Sequence, residues 1–209
     1  MHELVIYGAG GLGREVAEIV RRIDERHRFW DFLGFIDDGE PEGDLGGHAL
    51  LGGMELVKGF GRPLDVAIAI ASPKVKRKIY DELKACPHVH FPNVIDVGVT
   101  LSSRVHMEEG IIISRSCSVS VEVRLGRCVF LNTGTHVGHD TVLGDFCTVM
   151  SNVDVSGNVT VGEETLIGVG ASILQGRKIG SRSTVGIGSV VVTDVPGDCT
   201  VLGDPAKRF

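Results

Sequence analysis

From Ile95 to Val191 every sixth residue is aliphatic, Met107 included, without one interruption in seventeen positions. Apolar residues make up 43% of the chain, so an unpatterned sequence would break such a run almost at once. A period of six matches neither an α-helix, at about 3.6, nor a flat strand, at about 2, and it points to a repeat architecture. Counted from each aliphatic residue, the fifth position is mostly small or β-branched, as at Val99, Val105, Ile111, Cys117 and Val123. The second position is glycine at Gly126, Gly138, Gly144, Gly162, Gly168, Gly180 and Gly186. A short strand followed by a bend, which glycine eases by tolerating positive φ, accounts for these preferences. One knob per hexapeptide then points inward and stacks on its equivalents in the neighbouring coils.

Composition changes near residue 88, with helical patterns before it and β-branched repeats after it. The chain of 209 residues therefore divides into a domain over 1–88 and a second over 89–209, whose last segment, 197–209, caps the solenoid. A net charge of −6 argues against a nucleic-acid partner. No apolar stretch approaches the ~20 residues of a membrane span. Five cysteines, an odd number without a CxxC pair, fit a reducing, cytoplasmic setting. Cys117 and Cys147 fall on the small-residue phase of the repeat and read as core.

Leu4–Tyr7 is a short apolar strand that runs straight into Gly8-Ala9-Gly10-Gly11-Leu12-Gly13. Helical spacing follows from Arg14 to about Arg26, then a strand at Phe32–Ile36 ending in Asp37-Asp38. A third strand is predicted over Asp65–Ala71, and a basic helix from Pro73 to about Ala85 with Ser72 as its N-cap. This is a βαβ unit, a half-Rossmann-like α/β domain, with GxGxxG at the strand-to-helix turn. Backbone N–H groups and the helix dipole at such a turn suit a pyrophosphate. Fewer than ninety residues precede the repeat, room for one mononucleotide-binding half but not two. The expected ligand is therefore a nucleotide joined to something other than nicotinamide.

Among eight histidines, His139 stands out because Asp140 follows it and Val137 is the inward knob. The pair then occupies a corner of the coil, where an adjacent carboxylate can hold one imidazole tautomer for general-base work. A zinc site built from His106, His136 and His139 is disfavoured, because their separations are not multiples of an 18-residue coil. No metal is expected.

The segments YGAGGLGRE (7–15), GFIDD (34–38), NTGTHVGHDTVLGD (132–145) and GDPAKR (203–208) span both domains. Together with the hexapeptide period, they resemble the sialic acid O-acetyltransferase and UDP-4-amino-sugar N-acetyltransferase family. That resemblance implies a left-handed parallel β-helix, three hexapeptides per coil, five to six coils from Ile95 to about Pro196, and a homotrimer. It implies acetyl transfer from acetyl-CoA to the amine of a nucleotide-linked amino sugar, in surface-glycan biosynthesis. His139 matches the catalytic base and Asp140 the acidic residue beside it. Gly10, Gly11, Leu12, Asp37, Asp38 and Ala71 match contacts to the nucleotide-sugar, and Thr148, Val169 and Ile187 contacts to acetyl-CoA. Gly157 is a candidate oxyanion donor through its backbone N–H. Some members carry histidine where this chain has Leu12 and Thr148, which alters the expected sugar and thioester contacts. A sugar O-acetyltransferase and a non-catalytic hexapeptide scaffold are the alternatives.

Overall fold

The computed structural model describes residues 1–39 and 44–209. The N-terminal domain is a parallel sheet formed by β1 (His2–Tyr7), β2 (Trp30–Ile36), β3 (Leu50–Gly52), β4 (Leu64–Ile68) and β5 (Val89–His90), in the order β3-β2-β1-β4-β5. Its helices are α1 (Gly11–His27), α2 (Met54–Lys58) and α3 (Pro73–Leu83). Leu4–Tyr7 of β1 and Val66–Ile68 of β4 read as unbroken apolar runs because both faces of their sheet are covered, as parallel strands require. β3, α2 and β5, with two to five residues each, carry no periodic signal and were not expected from the sequence. β5 extends the first sheet past residue 88 by pairing Val89 with Leu64. Ser72 stands at the N-cap of α3, but its side chain makes no capping hydrogen bond.

From Val94 onward the chain forms a three-faced parallel β-helix. The first face stacks six two-residue strands from Val94–Ile95 to Thr184–Val185, then adds Thr200–Leu202 and the antiparallel Lys207–Arg208. The second face stacks six strands from Thr100–Leu101 to Val190–Val191, and the third stacks five from His106–Met107 to Lys178–Ile179. Partners lie one 18-residue coil apart, as in Val137 with Val155 and Leu143 with Val161. Fourteen of the inward knobs, from Ile113 to Val191, are buried, while Ile95, Leu101 and Met107 are partly buried in the first coil. Arg177 is the clear departure at the fifth position, and its Nε is buried without a hydrogen-bond partner.

The corners are built differently from the sequence expectation. Positive φ falls at the fourth position of every hexapeptide from Gly110 to Gly188, and nine of those positions are not glycine, Asp140 (φ 57°) and Asn158 (φ 58°) among them. The second-position glycines have ordinary φ and serve a steric purpose instead. A Cβ at Gly138 would lie 2.5 Å from the Gly157 nitrogen, and one at Gly144 would lie 2.7 Å from the Glu163 nitrogen. Close approach of consecutive coils, rather than backbone freedom, selects glycine there.

The N-terminal domain lies on the first face. Val94, Ile112 and Phe130 of that face share a buried cluster with Val16, Ile19 and Val20 of α1. Arg22 reaches the buried Asp96 carboxylate from Nε at 3.0 Å and from Nη2 at 2.5 Å. From α3, Arg77 Nη1 donates to Glu163 at 2.8 Å and Glu164 at 2.7 Å, while the Tyr80 hydroxyl donates to Glu109 at 2.6 Å. Among the described residues, no helix is long and apolar enough to cross a membrane. All five cysteines are free, with Cys117 and Cys147 buried in the core as expected.

Candidate active site

The turn from β1 into α1 is fixed by two glycines and leaves two others open. Gly8 has φ 109°, and a Cβ there would meet the Ala69 carbonyl oxygen at 2.7 Å. A Cβ at Gly13 would lie 1.8 Å from the Gly8 carbonyl oxygen. Gly10 and Gly11 are exposed, and a Cβ at either would meet nothing within 4 Å. α1 has neither a side-chain cap nor an acidic residue in its first turn, so its leading N–H groups keep their capacity for an anion. Leu12 is partly buried against the cluster beneath α1.

Asp37 and Asp38 close the same end of the sheet but hold structural bonds. Asp37 Oδ2 accepts from the Ala9 N–H at 2.8 Å and Oδ1 from the Gly39 N–H at 2.9 Å. Asp38 accepts from the Tyr7 hydroxyl, and its other oxygen accepts from the Met54 N–H at 2.8 Å. The Tyr7 hydroxyl first, then the Met54 N–H, hold the Asp38 carboxyl below its usual range. The carboxylate pair therefore braces the glycine turn and the start of α2, with Asp38 still exposed.

His139 and Asp140 sit at the corner between the second and third faces, as the phase of the repeat predicts. His139 Nδ1 and Asp140 Oδ2 are 2.8 Å apart, and both side chains are about half exposed. A carboxylate only accepts, so a neutral ring carries its proton on Nδ1 and presents an unprotonated Nε2. That nitrogen lies over Gly157, one coil further on, where a Cβ would come within 2.5 Å of Nε2. Gly157 thus gives the imidazole room to lie against the coil, a purpose its spacing alone does not disclose. The Asp140 N–H donates to Val121 O at 3.1 Å and the Asn158 N–H to His139 O at 2.7 Å, which anchors the corner on both sides.

Val169 and Ile187 are exposed apolar side chains one coil apart, on the corner between the first and second faces. Thr148 departs from its expected place among the cofactor contacts. It has no accessible surface, and its hydroxyl donates to Ala71 O at 2.8 Å, because α3 and the end of β4 cover this part of the first face. Ala71, partly buried, meets the β-helix through its carbonyl. Sequence reasoning also missed Lys76, whose ammonium bonds Thr148 Oγ1 at 3.1 Å and Cys147 O at 3.2 Å. Only the four-residue spacing of Lys76 and Tyr80, on the face shared with Ile79 and Leu83, hinted that this basic stretch turns inward. No group of three or more potential metal ligands occurs among the described residues.

Within the chain the glycine turn and His139 belong to different edges. α1 runs along the corner between the first and second faces, where Glu15, Glu18, Ile19 and Arg22 share a cleft with Ser114, Arg115 and Thr133. The whole second face separates that corner from His139.

Residues 3–83 match the PglD N-terminal domain family. The whole chain superposes on the acetyltransferase domain of PglB from Neisseria gonorrhoeae with TM-score 0.93 and 30% identity, covering 100% of both chains. The chain belongs to the hexapeptide-repeat sugar N-acetyltransferases. A second member of the family is a histidine-to-asparagine mutant of perosamine N-acetyltransferase from Caulobacter crescentus, solved in complex with CoA and GDP-perosamine. It superposes with TM-score 0.91 and 26% identity over 100% of this chain and 97% of the other. GDP-perosamine N-acetyltransferase of Escherichia coli O157:H7 is 28% identical over 98% of this chain and 95% of its own length. A serine acetyltransferase from Synechococcus elongatus is 35% identical over 94 residues, and the chain spans only 38% of that enzyme. The sugar N-acetyltransferases are thus matched end to end, and the serine enzyme over a part.

Proposed function

We propose that this enzyme transfers the acetyl group of acetyl-CoA to the amine of a nucleotide-linked 4-amino sugar, with His139 as general base. The observation that carries the reading is the His139–Asp140 pair, with its Nε2 turned over Gly157 at an open corner. The amine nitrogen attacks the thioester carbonyl carbon, and His139 Nε2 takes the proton that the nitrogen sheds. Asp140 stabilises the imidazolium through Nδ1. As the carbon–sulfur bond breaks, the CoA thiolate departs and can recover the proton. The Gly157 N–H is the donor assigned to the oxyanion. A thioester is already activated, so no enzyme nucleophile is needed.

The acceptor's diphosphate is assigned to Gly10, Gly11 and Leu12 at the start of α1, where space is open and N–H groups converge. Asp37 and Asp38 hold that turn in shape beside the nucleoside. Acetyl-CoA is assigned to the exposed Val169–Ile187 edge. The arrangement calls for a homotrimer, in which a neighbouring β-helix packed on the second face brings its own His139 corner towards this protomer's glycine turn and Val169–Ile187 edge. The relatives solved or named with GDP-perosamine and CoA favour an amine over a hydroxyl acceptor.

The test is steady-state transfer from acetyl-CoA to GDP- and UDP-linked 4-amino sugars, with the matching hydroxyl sugars as controls. His139→Ala is expected to lower kcat by about 100-fold or more, the size of a lost general base, with unchanged thermal unfolding. A His139→Ala enzyme that keeps near-normal turnover would remove this residue from the mechanism.

A further inference from the structure

Lys76 lies at the seam between the two domains and is 1% exposed. No ion pair of this side chain occurs among the described residues, and its bonded partners are both uncharged. The nearby Cys128 and Cys147 side chains do not supply a counter-charge, since burial pushes both thiols up to about 12. An ammonium sequestered without a carboxylate is a costly choice at a position where methionine would fill the same space.

The hydrogen-bond directions are unambiguous. An ammonium can only donate, so Thr148 Oγ1 accepts from Lys76 and gives its one proton to the Ala71 carbonyl. The outward residues of the neighbouring coils on this face are Phe130 and Leu166, so a hydroxyl here is not required by packing. Ala71 ends the segment that backs onto the glycine turn. The Ala69 N–H donates to Tyr7 O at 2.8 Å, and the Ala69 carbonyl occupies the space where a Gly8 side chain would stand.

We propose that Lys76 is a positioning residue: through Thr148 and Ala71 it fixes the 69–71 segment, and with it the Gly8–Gly13 turn, at a set distance from the β-helix. The acceptor subsite is thereby registered against the acetyl-transfer machinery by one buried ammonium in the seam. This inference rests on the assignment of Gly10–Leu12 to the acceptor.

The experiment measures kcat and both KM values on the GDP- or UDP-linked 4-amino sugar that the wild-type enzyme acetylates. The variants are Lys76→Met, Thr148→Val and Thr148→Ser. Lys76→Met and Thr148→Val are expected to raise the acceptor KM roughly 3- to 10-fold, the scale of one or two lost hydrogen bonds. The acetyl-CoA KM and kcat should move less than about twofold, the pattern of weakened ground-state binding. Thr148→Ser, which keeps the hydroxyl, should recover most of the acceptor affinity. Folded variants with an unchanged acceptor KM, or with the increase on the acetyl-CoA side, would overturn the proposal. Should Thr148→Val fail to fold, Lys76→Met decides the matter alone. A wild-type enzyme that acetylates none of these sugars would overturn the functional reading, and this inference with it.

Discussion

Residues in this protein often earn their place through something the local sequence does not display. His139 and Asp140 were legible because the six-residue phase assigns them to a turn, and their adjacency does the rest. Gly157 was singled out as a candidate oxyanion donor, but the room it leaves for His139 was not legible, since that depends on a ring from the preceding coil. Gly157→Ala is expected to push the His139 ring aside, because the new Cβ would stand 2.5 Å from Nε2. The ring is half exposed and can move, so the outcome is a loss in kcat of roughly tenfold or more with the fold intact; wild-type kcat in a folded variant would show that the ring position is immaterial. Lys76 was barely legible, because KVKRK at 74–78 reads as a solvated basic face, its spacing to Tyr80 is a faint hint, and docking on the β-helix is what buries it. Burial pushes its ammonium down from 10.5 to about 8. Below pH 8 both folded and unfolded chains hold this proton, and the fold carries the full cost of the sequestered charge. Between pH 8 and 10.5 the unfolded chain retains a proton that the folded chain has released, so that cost fades as pH rises. The stability advantage of Lys76→Met over wild type should therefore shrink by on the order of 2–3 kcal/mol across that window. Urea midpoints at matched pH values would check it, and parallel pH profiles for the two proteins would refute it.

At the level of elements, the β-helix was legible almost whole, whereas the N-terminal sheet was legible only in its long members. A two-residue strand has no periodicity of its own, and the solenoid declares itself only because sixteen further repeats keep the same phase. β3, α2 and β5, with two to five residues, are also too short to show a period and occur once each, which is why they were missed. The corner chemistry was misassigned for a related reason. Residues of every kind occupy the positive-φ fourth position, so composition conceals it, and the glycines mark coil-to-coil contact instead. The glycine turn of the first domain separates two similar-looking residues in the same way. Gly13→Ala would place a Cβ 1.8 Å from the Gly8 carbonyl oxygen, so β1 and α1 must part and the N-terminal domain should lose several kcal/mol. Gly10→Ala meets no protein atom within 4 Å and should fold normally. Its added methyl would intrude on the space assigned to the diphosphate, so acceptor KM should rise about tenfold, the effect of a modest steric conflict. Equal stability of the two variants in thermal unfolding would contradict the packing account; equal acceptor affinity of Gly10→Ala and wild type would move the diphosphate elsewhere.

At the scale of the whole molecule, the decisive geometry is that the glycine turn and His139 lie on separate edges of one chain. α3 and α1 hold the N-terminal domain on the first face through Arg77, Tyr80, Arg22 and the shared apolar clusters. The glycine turn cannot swing round the second face to meet His139 without breaking those contacts. If the working site joins one protomer's acceptor turn to its neighbour's histidine, two inactive proteins should complement each other. Gly11→Glu places a negative charge in open space at the proposed acceptor turn, while His139→Ala removes the proposed base. Mixed and reassembled in equal amounts, random cyclic trimers would place an intact turn beside an intact histidine in about a quarter of the sites. Activity should therefore recover to about a quarter of wild type, although each variant alone is nearly inactive. A site contained within one protomer predicts no recovery, since every chain in the mixture is defective. Light scattering on the same mixture fixes the assembly, and a monomer at micromolar concentration would exclude the shared site outright.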